Sequence, residues 1–123
     1  MIKGPRITSI WSEDLNNLLP FYRDVVGLPV AMESPGFIVL GELGQAVVAL
    51  GTHSDVHGPA TDPARHILGL ETDDIDAEFQ RLKGKGVEFI EEPSDPVGSV
   101  RVATFKDPEG NYLQLFEFTG PLA

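Results

Sequence analysis

Hydrophobic and polar positions in the first quarter of the chain predict a strand followed by a helix. Residues 7–11 combine β-branched and aromatic side chains, as strands do. Apolar side chains then recur every three or four positions over residues 15–26, which predicts an amphipathic helix with Asp14 as its N-cap and Gly27 at its end. Pro20 lies inside this helix and predicts a kink or a late start, because proline has no N–H to donate.

Three short apolar segments follow the first helix. They occupy residues 29–32, 37–40 and 46–50, and glycines and prolines separate them. Such spacing predicts three antiparallel strands connected in sequence. Residues 51–64 are rich in Gly, Pro and Asp and predict a loop.

The same order of elements returns in the second half. We expect a strand at residues 66–72, a helix that starts at Ile75, with Asp73 or Asp74 as its N-cap, and ends around residues 84–86, and strands at 87–90, 100–105 and 112–118.

An internal repeat of roughly sixty residues therefore organises the chain. Each half has the order strand, helix, strand, strand, strand, which predicts a single domain of the α+β class built from two tandem βαβββ modules. The expected boundaries are about 5–52 for module one, 53–64 for a linker and 65–119 for module two. Helices on the convex side of a curved mixed sheet would leave the concave faces around a cavity.

Composition narrows the function classes. The 123 residues contain 9 Lys plus Arg against 19 Asp plus Glu, a formal net charge of −10. A surface this negative repels phosphate backbones and anionic lipid, so neither nucleic acid nor a membrane is an expected partner. No cysteine is present, which excludes thiolate catalysis and zinc–sulfur sites. Residues 1–10 lack the apolar segment of a signal peptide, so we expect a cytoplasmic protein.

Three segments resemble a known family. They are residues 14–28, residues 72–87 and, most specifically, the aromatic-x-Asp-Pro-acid-Gly-Asn turn within residues 105–113. Together they resemble the vicinal oxygen chelate superfamily, the group of glyoxalases, bleomycin-resistance proteins and extradiol dioxygenases. The resemblance extends over nearly the whole chain and implies the same paired-module fold.

The resemblance also implies four positions for the ligands of a divalent metal ion. Two of them fall on Ile7 and Ala49, which cannot bind a metal. The third falls on Ile67 or on His66, depending on which aspartate is aligned, and the fourth on Gln114. We therefore expect no metal site of the usual kind and no cofactor.

Side chains along a strand alternate between its two faces. Starting from the positions that the resemblance assigns to the cavity, this alternation predicts which other residues line it. The predicted ligand-binding residues are Ser9, Trp11, Ala49, Ile67, Gly69, Gln114 and Phe116. They form a mostly apolar wall with few polar groups, as small-molecule sites do. Trp11, the only tryptophan, is a candidate for stacking on a flat ligand. The alternatives for Trp11 are core packing and a dimer interface.

Other charged and titratable residues are weaker candidates. Glu71 is the predicted catalytic residue, because a carboxylate enclosed in the cavity would suit proton transfer; the alternative is a solvated strand end. His53 and His57 lie four apart in a Gly/Pro-containing loop, where helical metal-ligand spacing has no meaning. Arg23, Arg65 and Arg101 either bind an anionic group or form surface ion pairs.

Two functions follow from the resemblance. The first is a metal-free protein that binds a small molecule, either by sequestration of the bleomycin-resistance type or with metal-independent chemistry. The second is a lyase, isomerase or ring-cleaving dioxygenase that uses Zn, Ni, Mn or Fe with a displaced ligand set. Whether the protein is an enzyme stays open at this point.

Family members often dimerise, so we expect a homodimer, with the C-terminal strand at residues 112–118 as a candidate partner surface.

Overall fold

The computed structural model describes residue 1 and residues 3–120 of the chain. It divides into two compact units, Met1–Gly58 and Pro59–Ala123. The first unit contains β1 (Ile7–Ser12), α1 (Leu15–Pro20), a π-helical segment (Phe21–Val26), β2 (Val30–Ser34), β3 (Phe37–Leu40) and β4 (Val47–Thr52). The second contains β5 (Leu68–Glu71), α2 (Ile75–Gly84), β6 (Phe89–Ser94), β7 (Val100–Lys106) and β8 (Tyr112–Phe118).

Each unit is a four-stranded mixed sheet with the same topology. The strand order is β1-β4-β3-β2 in the first sheet and β5-β8-β7-β6 in the second. The first strand of each unit runs parallel to the last, and the remaining neighbours are antiparallel. The α+β class and the repeated βαβββ order predicted from the sequence are thereby confirmed.

Some predicted boundaries were wrong. Gly51 and Thr52 belong to β4 and not to the following loop, and the strand predicted at residues 87–90 lies at Phe89–Ser94. The C-terminal strand is not a sheet edge, because β8 is hydrogen-bonded to β5 on one side and β7 on the other. Its backbone groups are already used within its own sheet.

The first helix changes type at Pro20. Asp14 has extended backbone angles and accepts a hydrogen bond from the N–H of Asn16, which confirms the predicted N-cap. Beyond Pro20, the segment Phe21–Val26 is π-helical, and the N–H of Gly27 donates to the carbonyl of Tyr22, five residues back. Gly27 ends the segment with φ of 94°, a left-handed conformation that favours glycine.

The helix of the second unit settles which aspartate is the cap. The carboxylate of Asp74 accepts a hydrogen bond from the N–H of Ala77, and α2 begins at the next residue, Ile75. Phe79 of this helix packs edge-on against Phe89, with ring centroids 4.7 Å apart, and Phe89 in turn contacts Phe105. These rings form part of the apolar core of the second unit.

The turn between β7 and β8 is organised by Asp107, which is only 5% exposed. One carboxylate oxygen accepts hydrogen bonds from the N–H groups of Glu109 and Asn111 at 2.8 and 2.9 Å. The other accepts from the side-chain amide of Asn111 at 2.8 Å. Gly110 has φ of 83°, which explains the glycine of this motif. The most specific motif of the sequence thus forms the connection that aligns β7 with β8.

Across residue 1 and residues 3–120, every helix is too short and too polar to cross a bilayer.

Candidate functional site

The register of the first sheet places an apolar surface on one of its faces. Ser9 and Trp11 of β1 are paired with Ala49 and Gly51 of β4, so their side chains lie on the same face. Phe37 of β3 is paired with Gly51 and joins them there. The opposite face carries residues such as the fully buried Leu50, and α1 packs against β4.

Trp11 is the central residue of this face. Its ring lies against the backbone of Gly51. A methyl group built on Gly51 would come within 2.8 Å of Cε3 of the indole. The ring of Phe37 is 6.3 Å away at a tilt of 32°, and the imidazole of His53 meets it edge-on at 5.5 Å. Trp11 is nevertheless 38% exposed, so it is not a core residue. We call Trp11, Phe37, Gly51 and His53 the aromatic platform.

An open cavity of about 330 Å³ adjoins the aromatic platform. It is lined by Glu13, Thr52, His53, Ser54, Val56 and His57. Most of these residues are polar, in contrast to the apolar sheet face beside it. His53 belongs to both surfaces, which makes the cavity and the platform continuous.

Glu13 connects the two chain segments that form this cavity. One carboxylate oxygen accepts a hydrogen bond from the N–H of Gly58 at 2.6 Å, and the other lies 3.5 Å from Nδ1 of His57. The hydrogen bond from Gly58 and, secondly, the one from His57 stabilise the ionised form and lower the pKa of Glu13. The loop after β4 is therefore held to the turn between β1 and α1.

The second sheet has an analogous face. Gly69 and Glu71 are paired with Gln114 and Phe116, so the four share one face, as predicted from alternation. The ring of Phe116 lies over Gly69, where an added methyl group would be 2.9 Å from Cε2. The side-chain amide of Gln114 donates to the hydroxyl of Thr104 at 3.1 Å. Glu71 is exposed.

The four positions that the resemblance implies for metal ligands do not provide a ligand set. Ile7 and Ala49 lie on one face of the first sheet and carry no donor atom. Gln114 is hydrogen-bonded within its own sheet, whereas Ile67 and the exposed His66 precede the first residue of β5. Within residues 1 and 3–120, no three His, Asp or Glu side chains cluster as a metal site requires. The residues present do not fit the family's metal ion.

The three arginines considered as anion binders are all engaged in ion pairs. The nitrogen–oxygen distances are 2.8 Å for Arg23–Asp24, 2.7 Å for Arg65–Asp62 and 2.6 Å for Arg101–Asp76. Surface pairing, one of the two alternatives left by the sequence, is what the structure shows.

Sequence reasoning missed most of the polar cavity and three of the four residues of the aromatic platform. The predicted strand ended at residue 50, whereas β4 continues to Thr52. With that longer strand, alternation would have placed His53 on the same face as Gly51. Glu13 had no such signal, because its partner Gly58 is 45 positions away.

Comparison with known proteins identifies a family model that fits most of the chain. The model of the Glyoxalase/Bleomycin resistance protein/Dioxygenase superfamily matches residues 6–115. The uncharacterized protein YurT of Bacillus subtilis is 29% identical over 123 aligned positions, which cover 90% of this chain and 96% of YurT. The anthracycline biosynthesis protein DnrV of Streptomyces peucetius is 29% identical over 87% of this chain, but the match spans 44% of DnrV.

Solved structures give the same result. A superfamily member from Sphaerobacter thermophilus is 28% identical, with a TM-score of 0.76 over 94% of this chain and 98% of that one. TnmS3, an antibiotic binding protein from Streptomyces sp. CB03234, is 27% identical, with a TM-score of 0.73 over 95% and 96% of the two chains.

Proposed function

Because the chain belongs to the Glyoxalase/Bleomycin resistance protein/Dioxygenase superfamily, we propose that it binds a flat aromatic small molecule without a metal ion. The observation that carries this proposal is the position of Trp11. Its indole is held against Gly51 and flanked by Phe37 and His53, yet the residue stays 38% exposed. An exposed ring held in place by its neighbours is prepared to stack on a ligand.

The glycine at position 51 gives the platform its shape. Any side chain there would push the indole away from the sheet, whereas the bare backbone lets the ring lie flat against it. Stacking between aromatic rings contributes about 0.5–1.5 kcal/mol beyond the area that is buried. A ring that is already ordered also loses little conformational entropy when the ligand binds.

The comparisons support a ligand of the antibiotic type. TnmS3 is described as an antibiotic binding protein, and DnrV as a protein of anthracycline biosynthesis. The net charge of −10 would favour the approach of a cationic compound by long-range steering. We propose sequestration of such a compound as the main activity.

The experiment is a titration followed by the fluorescence of the only tryptophan, repeated by calorimetry with variants. A panel of antibiotics that carry planar aromatic groups, including bleomycin with its bithiazole and an anthracycline, should contain a compound that quenches Trp11. Trp11→Ala should weaken its binding about tenfold, since the loss of stacking is worth roughly 1.4 kcal/mol. Trp11→Phe should retain most of the affinity.

A matched control is Leu43→Ser, which removes an exposed apolar side chain (67% exposed) that lies outside the aromatic platform. It should leave the affinity unchanged. If Trp11→Ala binds the whole panel as tightly as the unmodified protein, the proposal is wrong.

The metal-dependent alternative has a direct test. It requires His66, Gln114 and a carboxylate such as Glu71 to act as ligands, whereas the side-chain amide of Gln114 donates to the hydroxyl of Thr104. Protein purified without chelators should contain only a substoichiometric amount of Zn, Ni, Mn and Fe. Stoichiometric metal that is lost in His66→Ala would favour the alternative.

Metal-independent catalysis by Glu71 stays a separate prediction. Its carboxylate shares a sheet face with Gln114 and Phe116. Replacement by glutamine preserves the shape of the side chain and removes the base. Unchanged ligand binding and turnover in Glu71→Gln would rule out a role as general base.

We also propose that the protein is a homodimer in the cytoplasm. Large apolar residues on the platform face of the first sheet, Ile7 (58% exposed) and Met32 (51% exposed), support an interface, since such side chains are more often covered. Light scattering at micromolar concentration should give twice the mass of the chain, and a monomeric mass would contradict the dimer. Cell fractionation tests the location.

A further inference from the structure

His53 lies where the aromatic platform meets the polar cavity. Its imidazole and the indole of Trp11 form a T-shaped pair, with 5.5 Å between centroids and an angle of 71° between the rings, and it also lines the cavity of about 330 Å³. A ligand stacked on Trp11 would therefore lie near an imidazole that is 45% exposed.

The hydrogen bonds of His53 define which of its nitrogens carries a proton. The backbone N–H of Asp55 donates to Nδ1 of His53 at 3.0 Å. A nitrogen that accepts a hydrogen bond has no proton, so in the neutral ring the single proton is on Nε2. In the protonated ring both nitrogens carry protons, and the carboxylate of Asp55, 4.0 Å from Nδ1, is the nearby charge that faces it. Nε2 is a hydrogen-bond donor in either state.

We propose that His53 makes this site selective for planar aromatic ligands that carry an uncharged acceptor oxygen, such as a ketone or quinone carbonyl, at the ring edge. The inference rests on the proposed function, because it assumes that the ligand stacks on Trp11. It adds the chemical class of the ligand and identifies the residue that selects it.

The electrostatic surroundings favour an uncharged oxygen over a carboxylate. Glu13 lines the same cavity and is ionised near neutral pH, because its pKa lies below the ordinary value of 4.5, first through the hydrogen bond from Gly58. The net charge of −10 adds to the repulsion of anions. A carbonyl oxygen accepts a hydrogen bond from Nε2–H without meeting this repulsion.

The test uses three naphthalene probes that share one ring system and differ at the substituent. These are 2-acetylnaphthalene with a neutral acceptor, 2-naphthoate with an anionic acceptor, and 2-naphthylmethylammonium with a donor only. Dissociation constants are measured by calorimetry for the unmodified protein and for two variants of His53. His53→Phe keeps a ring against Trp11 and removes the donor, whereas His53→Gln keeps an N–H near the position of Nε2.

We expect His53→Phe to weaken the binding of 2-acetylnaphthalene about fivefold, the usual effect of losing one neutral hydrogen bond. His53→Gln should restore it to within about twofold, and the ammonium probe should change by less than about twofold in both variants. In the unmodified protein, 2-naphthoate should bind more weakly than 2-acetylnaphthalene.

Each outcome has one meaning. If all three probes bind but His53→Phe affects them equally, the selectivity of His53 is refuted and stacking on Trp11 stands. If 2-naphthoate binds best and loses most in His53→Phe, the choice of an uncharged oxygen is wrong. If no probe binds the unmodified protein, the proposed function and this inference both fail.

Discussion

The indole of Trp11 lies directly against the backbone of Gly51 on the neighbouring strand. A methyl group at position 51 would be 2.8 Å from Cε3 of the indole, closer than side-chain carbons approach other atoms in proteins. Phe116 covers Gly69 in the second sheet in a similar way, at 2.9 Å. In both units an aromatic ring occupies the space that a glycine leaves open, an arrangement known to support glycines within sheets.

Substitution of this glycine should disturb the platform. Gly51→Ala forces the Trp11 ring to move, so we expect a shifted fluorescence maximum, ligand affinity reduced about tenfold and stability lowered by about 1–3 kcal/mol. Gly84→Ala is the matched control, since nothing lies within 4 Å of an added methyl group there and α2 favours alanine. Unchanged emission and affinity in Gly51→Ala would show that the contact is not required.

The two adjacent aspartates before α2 should differ in their contribution to stability. Asp74 accepts a hydrogen bond from the N–H of Ala77, so Asp74→Ala should lower the free energy of unfolding by about 1 kcal/mol. Asp73→Ala, one residue away, should change it by less than about 0.5 kcal/mol. Urea denaturation followed by circular dichroism measures both. Equal effects would mean that Asp74 is not the cap that matters in solution.

Replacement of the buried carboxylate of Asp107 by an amide should lower the stability of the protein. Asp107→Asn preserves the size of the side chain but turns an oxygen that accepts from Asn111 or Glu109 into a donor. Because a buried group then loses its partner, we expect a loss of about 1–3 kcal/mol and a clearly lower melting temperature. Glu92→Gln, an exposed acid-to-amide change in β6, should have no measurable effect. A melting temperature equal to that of the unmodified protein would contradict the role of Asp107.

The carboxylate of Glu13 should titrate below its ordinary value of 4.5. Its folded pKa is lowered relative to the unfolded chain, so the stabilisation from this group is present above pH 4.5 and disappears as the pH falls through the folded value. Carbon-detected NMR of the side-chain carboxyl measures the midpoint.

His57→Ala separates the two causes of that lowered pKa. Because the N–H of Gly58 is the larger cause, the pKa of Glu13 should rise only part of the way back in this variant. A full return to the ordinary value would show that His57, and not the backbone, lowers the pKa of Glu13.

Local patterns were enough for the elements that depend on neighbours in sequence. Asp14 begins the first helical region and Gly27 ends it. Both were predictable, because helix capping and left-handed glycine conformations involve only a few adjacent residues. Alternation likewise placed Gln114 and Phe116 on one face of β8. The double aspartate left an ambiguity of one residue that periodicity could not resolve, and the hydrogen bond of Asp74 resolved it.

Residue type and short-range spacing were enough to predict the βαβββ repeat, the faces of the strands and the lack of donor atoms at Ile7 and Ala49. The surroundings of Trp11 depend on contacts between distant parts of the chain. Glu13 reaches Gly58 across 45 positions, and Trp11 meets Gly51 and His53 only after β1 has paired with β4. Such contacts follow from strand pairing between distant segments, a property that no local pattern of hydrophobic and polar residues records.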